Sequence, residues 1–71
     1  MKIDYDKEVD AIYIKLSSKK PTGVVEIKEG INLDVNDLNE LIGIEILDAS
    51  NKLNLKSFAS YQISKELALA I

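Results

Sequence analysis

Cysteine, histidine and arginine are all absent from this chain. Without cysteine no disulfide can staple the fold, and without cysteine and histidine together neither a structural zinc site nor a histidine cluster can be built. Without arginine every positive charge is a lysine ammonium, so the planar fork that grips phosphates, carboxylates and guanine at two points is missing. Long apolar runs are missing as well. The best candidate, Leu41 to Leu47, contains Glu45 and falls far short of the ~20 residues that cross a bilayer. Met1 to Asp10 is dense in acids and offers no basic region followed by an apolar stretch, so no secretory signal is read there, and a cytoplasmic protein without membrane contact is expected.

What is present is acidic and short. Twelve acids against nine lysines give a net charge of −3, and the lysines are scattered singly except for Lys19-Lys20. No basic stripe can follow a phosphate backbone, which argues against nucleic acid as a partner. A chain of 71 residues builds one core, and folding at this size buries only roughly 60% of the surface that the unfolded chain exposes. Association with a second chain is the staple left open to it.

The pattern along the chain is that of short strands. Lys2 to Asp6 alternates Ile3 and Tyr5 with charged residues, and beyond an acidic turn Ala11 to Leu16 places Ile12, Ile14 and Leu16 on one face, which predicts a first hairpin. Ser17 to Thr22, with the single proline Pro21, reads as a loop, and Val24 to Lys28 as a third, β-branched strand. Glu29-Gly30 fits a tight turn in which Gly30 supplies a positive φ. Ile31 to Val35 alternates again, Asn36 to Glu40 reads as a turn, and Leu41 to Leu47 as a fifth strand. Gly43 inside that strand marks either a bulge or a place where another side chain lies against the backbone.

Strand character stops at Asp48-Ala49-Ser50-Asn51, where Asp48 or Ser50 can cap a helical turn; Asn54 can cap a second one that carries Leu55, Phe58 and Ala59 on one side. Residues 62–71 fit either a helix starting at Ser64-Lys65-Glu66 or a strand alternating Leu67, Leu69 and Ile71. The expected architecture is α+β: one domain over residues 1–71, an antiparallel β-meander of about five strands over 1–48, and a C-terminal helical segment, 49–71, packed on one sheet face.

Two blocks of this pattern, Tyr5-Asp6 with Asp10-Ala11-Ile12-Tyr13-Ile14, and Gly43-Ile44-Glu45-Ile46-Leu47-Asp48-Ala49-Ser50, resemble the DUF2283 family of small prokaryotic proteins, from about Met1 to Leu53. The resemblance implies a compact β-meander with a helical C-terminal part and brings no catalytic residue with it. Some members are encoded beside small toxin-like proteins, so the family also implies an antitoxin-type role, by analogy and not by physics.

Asp4, Asp6, Glu8 and Asp10 stand two apart and would share a face in an extended chain, but they straddle a turn, and a solvated acidic turn is the expected reading. Asp34, Asn36 and Glu45 have the spacing of the first, third and twelfth ligands of a calcium loop, yet Leu38 and Asn39 fill positions that need an oxygen donor and a glycine. Ser17-Ser18-Lys19-Lys20 has nucleophile and base types in a loop that cannot orient them. No metal ligand, cofactor site or catalytic residue is assigned, and the chain is expected not to be an enzyme.

Candidate interaction residues remain. Tyr13 lies on the strand face opposite Ile12 and Ile14, while Phe58, Tyr61, Leu67, Leu69 and Ile71 make the C-terminal segment apolar enough to need cover from the domain or from a partner. The expected role is a protein-interaction module, antitoxin-like, that pairs with a small protein through a sheet edge or through Asn54 to Ile71. The alternative is a self-assembling structural homodimer.

Overall fold

The structure, a computed structural model, describes residues 1–57. Five antiparallel strands, β1 (Lys2–Asp6), β2 (Ala11–Lys15), β3 (Gly23–Lys28), β4 (Ile31–Val35) and β5 (Leu41–Leu47), form one sheet, and the short helix α1 (Ala49–Lys52) follows it. Residues 55–57 add a helical turn. The α+β class and the strand spans agree with the alternation of the sequence, except that β2 stops one residue before Leu16 and β3 starts at Gly23. The expected helical segment 49–71 begins with α1 and the turn at 55–57; its course from residue 58, and the choice between helix and strand for residues 62–71, lie outside the described residues.

The strands are not laid down in running order. The sheet runs β1-β2-β5-β4-β3, so the expected meander holds within β1–β2 and within β3–β4–β5 but breaks between β2 and β3. Burial explains the arrangement. The longest strand, β5, has the richest apolar run and takes the centre, with both its edges paired, whereas β3, with Glu26 and Lys28, goes to an edge where charge costs nothing.

The loop from Leu16 to Thr22 makes the crossing. The amides of Leu16 and Ser17 donate to the Ile42 carbonyl at 2.9 and 3.1 Å, and the Thr22 amide donates to the Val35 carbonyl at 2.9 Å. Lys19 pairs with Glu40 at 3.0 Å, and the Thr22 hydroxyl donates to Asp37 at 2.8 Å. A side-chain turn receives it: the Asn36 carboxamide oxygen accepts from the amides of Leu38 and Glu40, and Asn39 takes φ 62°.

Residues opposed across the ladder share a face. The rows Ile3–Ile14–Ile44–Leu33–Val25 and Tyr5–Ile12–Ile46–Ile31, the latter ending at Lys28 on β3, make one face mostly apolar. The rows Lys2–Lys15–Gly43–Asp34–Val24 and Asp4–Tyr13–Glu45–Asn32–Glu26 make the other face mostly polar. Ile12, at 1% exposure, and Ile42, at 2%, are the largest fully buried side chains; burying one isoleucine contributes about 1.5–3 kcal/mol. Gly30 adopts φ 76° in the β3–β4 turn, the conformation expected of it.

Candidate functional site

Asp10 holds a hydrogen-bond junction that joins β1, the β1–β2 turn and α1. It sits at the end of the β1–β2 turn in the left-handed region, φ 53°, where aspartate is tolerated better than most residues. Its carbonyl accepts the Ala49 amide at 2.9 Å. Its carboxylate accepts the Tyr5 hydroxyl at 2.8 Å, the Ser50 hydroxyl at 2.7 Å and the Ser50 amide at 3.1 Å.

Asp10 therefore satisfies two of the free amides that open α1, forty positions along the chain. Asp48 occupies the N-cap position but takes φ 54° and makes no side-chain cap bond, and Ser50 donates to Asp10 instead of capping. The local cap expected from Asp48 or Ser50 is thus replaced by a distant one. Asn54 does cap as its position suggests, accepting the Ser57 amide at 3.1 Å. The hydrogen bonds from Ser50 and Tyr5 hold the Asp10 carboxyl below its usual range, and the same contact raises the Tyr5 phenol. A carboxylate with a lowered pKa is a weak base, so Ser50 beside Asp10 is clamped, not activated.

The second cluster lies on the polar face. Tyr13 opposes Glu45 on β5, and its hydroxyl passes over Gly43 to donate to Asp34 Oδ2 on β4 at 2.7 Å. A methyl group on Gly43 would stand 2.1 Å from the Tyr13 hydroxyl oxygen and 2.5 Å from Cζ. Gly43 is thus the close-approach position that its place inside a strand suggests. It is also next to a bulge: Asp34 opposes Gly43 while Val35 opposes Leu41, which leaves Ile42 as the extra residue. The Asp34 carboxylate and partial burial push the Tyr13 phenol up to about 12.

The remaining candidate residues separate. Asp4 shares a cross-strand row with Tyr13, Asp6 opposes Ala11, and Asp10 turns to Ser50. Of the calcium-loop spacing, Asp34 accepts from Tyr13, Glu45 from the Asn32 carboxamide at 3.0 Å, and Asn36 closes its own turn. Among the described residues no three metal-capable side chains converge, and no buried side-chain nitrogen or oxygen lacks a partner. Phe58, Tyr61, Leu67, Leu69 and Ile71 lie outside the described residues. In sequence Asp10 is one acid among several in a turn, so its junction is not legible there; its presence in one recognisable block, and that of Ser50 in the other, is the available signal.

Comparison with known proteins then explains why those blocks stand out. A family model described as a protein of unknown function, DUF2283, matches residues 2–50. The chain belongs to this family. The match ends at Ser50, the residue that closes the Asp10 junction, and the two blocks are the segments that meet there and at Tyr13–Gly43. A protein of Methanosarcina mazei, provisionally named a hypoxanthine phosphoribosyltransferase, is 44% identical over 54 residues, which are 76% of this chain and 43% of that protein. The DUF2283 chain thus spans less than half the length of this curated relative. No solved structure matches it. Among the described residues no helix is long and apolar enough to cross a membrane.

Proposed function

We propose that this DUF2283 chain is a protein-interaction module, antitoxin-like in role, that acts in the cytoplasm by binding another small chain and catalyses no reaction itself. One observation carries the reading: the described core is small, its buried apolar side chains being those of Ile12, Ile42 and Ala49, while one edge strand leaves Val24, Val25 and Ile27 at 66, 47 and 58% exposure. Scattered exposed aliphatics are ordinary on any surface, but three in one strand whose outer edge is unpaired among the described residues form a template for another strand.

The hydrogen-bond clusters support the same reading. Both hold strands and helix together, and neither leaves a nucleophile beside an available base. The name of the Methanosarcina relative is not extended to this chain, whose three glycines, Gly23, Gly30 and Gly43, belong to strands and a turn and build no loop that opens a helix on a phosphate. A self-assembling role is the second reading, favoured by the same edge.

The test is gentle affinity purification of the tagged chain from its own host, with quantitation of what accompanies it. A small companion at near-equal molar amount is expected. Recovery of this chain alone would remove the antitoxin-like reading. Deleting residues 62–71 locates the contact: lost binding by a folded truncation assigns it to that segment, and unchanged binding assigns it to the sheet.

A further inference from the structure

The two edges of the sheet differ. β1 exposes Lys2, Asp4 and Asp6, and its one exposed aromatic, Tyr5, has its hydroxyl committed to Asp10. β3 exposes a nearly continuous run of aliphatic side chains. We propose that β3 pairs antiparallel with β3 of a second copy, about a two-fold axis at Val25, so that two sheets join into one. The inference rests on the contact-module reading and names its first partner.

Register follows from parity and charge. A two-fold axis perpendicular to a continuous sheet keeps each face on its own side, and side chains alternate with period two, so the axis must fall on a residue and not between two. An axis on Glu26 would oppose that carboxylate to its own copy, which is destabilising. Ile27 lies in the register shift between Glu26 and Lys28, and an irregular strand pairs poorly. An axis on Val24 would bring Pro21, which has no amide to donate, opposite Ile27.

An axis on Val25 opposes no carboxylate to its own copy, keeps Pro21 clear of the strand residues and moves the irregular Ile27 to the end of the ladder. Val24 then faces Glu26 of the copy, Gly23 faces Ile27 and Thr22 faces Lys28, with no like charges opposed. The gain lies on the apolar face. Val25 ends the row Ile3–Ile14–Ile44–Leu33–Val25, so the axis joins that row to its own copy through a Val25–Val25 pair, and every member of the row gains an apolar neighbour or keeps one. A β1-to-β3 contact would instead be heterologous and repeat head to tail, into a ring or a filament.

The chain has no cysteine, so single-cysteine variants report the register cleanly. In full-length protein under a mild oxidant, Val25→Cys is expected to form a disulfide dimer at least tenfold faster than Ile27→Cys, whose copies would lie four residues out of register, about 13 Å apart, and than Asp4→Cys on the opposite edge. Light scattering is expected to give the mass of two chains, and Val25→Lys, which opposes two ammonium groups, the mass of one with an unchanged circular dichroism spectrum. Equal cross-linking rates, a single-chain mass for the unmodified protein, or a ladder of higher masses would each overturn the proposal. If self-pairing fails while the tagged chain still retrieves a stoichiometric companion from its host, the contact-module reading stands with a different partner. If both fail, both readings fall.

Discussion

At the residue scale, the family's recognisable positions act as clamps. Gly43 is there because the Tyr13 ring lies on it, so Gly43→Ala is expected to lower stability by about 1–3 kcal/mol through overpacking, measured by urea denaturation. The same change in a Tyr13→Ala background is expected to cost clearly less, since the clashing atoms are gone; an equal cost in both backgrounds would mean that Tyr13 is not the cause. Tyr13→Phe removes one hydrogen bond and is expected to cost about 0.5–1.5 kcal/mol.

The ionisable clamps give opposite pH limbs. Tyr13 has a folded-state pKa raised from 10.0 to about 12, so its contribution is complete below pH ~10 and is lost as pH rises toward 12. Ultraviolet titration should show one tyrosine ionising near that upper limit, absent in Tyr13→Phe. Asp10 has its pKa lowered from 3.8, so its contribution is present above that value and is lost as pH falls through the lower, folded-state value. Ser50→Ala removes the largest cause of the lowering and is expected to shift the acid-unfolding midpoint toward neutral pH. An unchanged midpoint would contradict the junction.

At the scale of elements, strand existence was legible and strand order was not. Ile3/Tyr5, Ile12/Ile14, Ile31/Leu33 and Ile44/Ile46 each announce a half-buried strand through period-two alternation, which depends only on neighbours in sequence. The insertion of β5 between β2 and β4 depends on contacts such as the pairing of Ile12 with Ile46, which no local pattern encodes. The helix start shows the same limit. Asp48 and Ser50 have capping chemistry, yet the cap comes from Asp10, across the junction that the fold creates. Gly43 was half legible: its place inside a strand announces a close approach, but not that Tyr13 makes it. The burial of Ile12 on β2, a strand paired on both edges, predicts that Ile12→Ala costs about 2–5 kcal/mol, more than truncation of Val24 to alanine on β3, which is exposed in the single chain. Thermal melts of Ile12→Ala and Val24→Ala compare the two strands directly, and equal losses would place β3 in the core.

At the scale of the whole molecule, the proposed contact role rests on a small sheet whose β3 edge carries the exposed aliphatic residues Val24, Val25 and Ile27. The chain of 7.9 kDa has a small described core, as its length requires. A partner that pairs with an edge or covers apolar surface would add the stability that disulfides, excluded by the absence of cysteine, cannot supply. The most direct measurement is the native mass of the assembly eluted from the chain's own host under mild conditions. A mass of at least two chains, whether two copies or one copy with a small companion, is the predicted result. A homogeneous species of 7.9 kDa, unchanged when the purified protein is concentrated, would contradict the account.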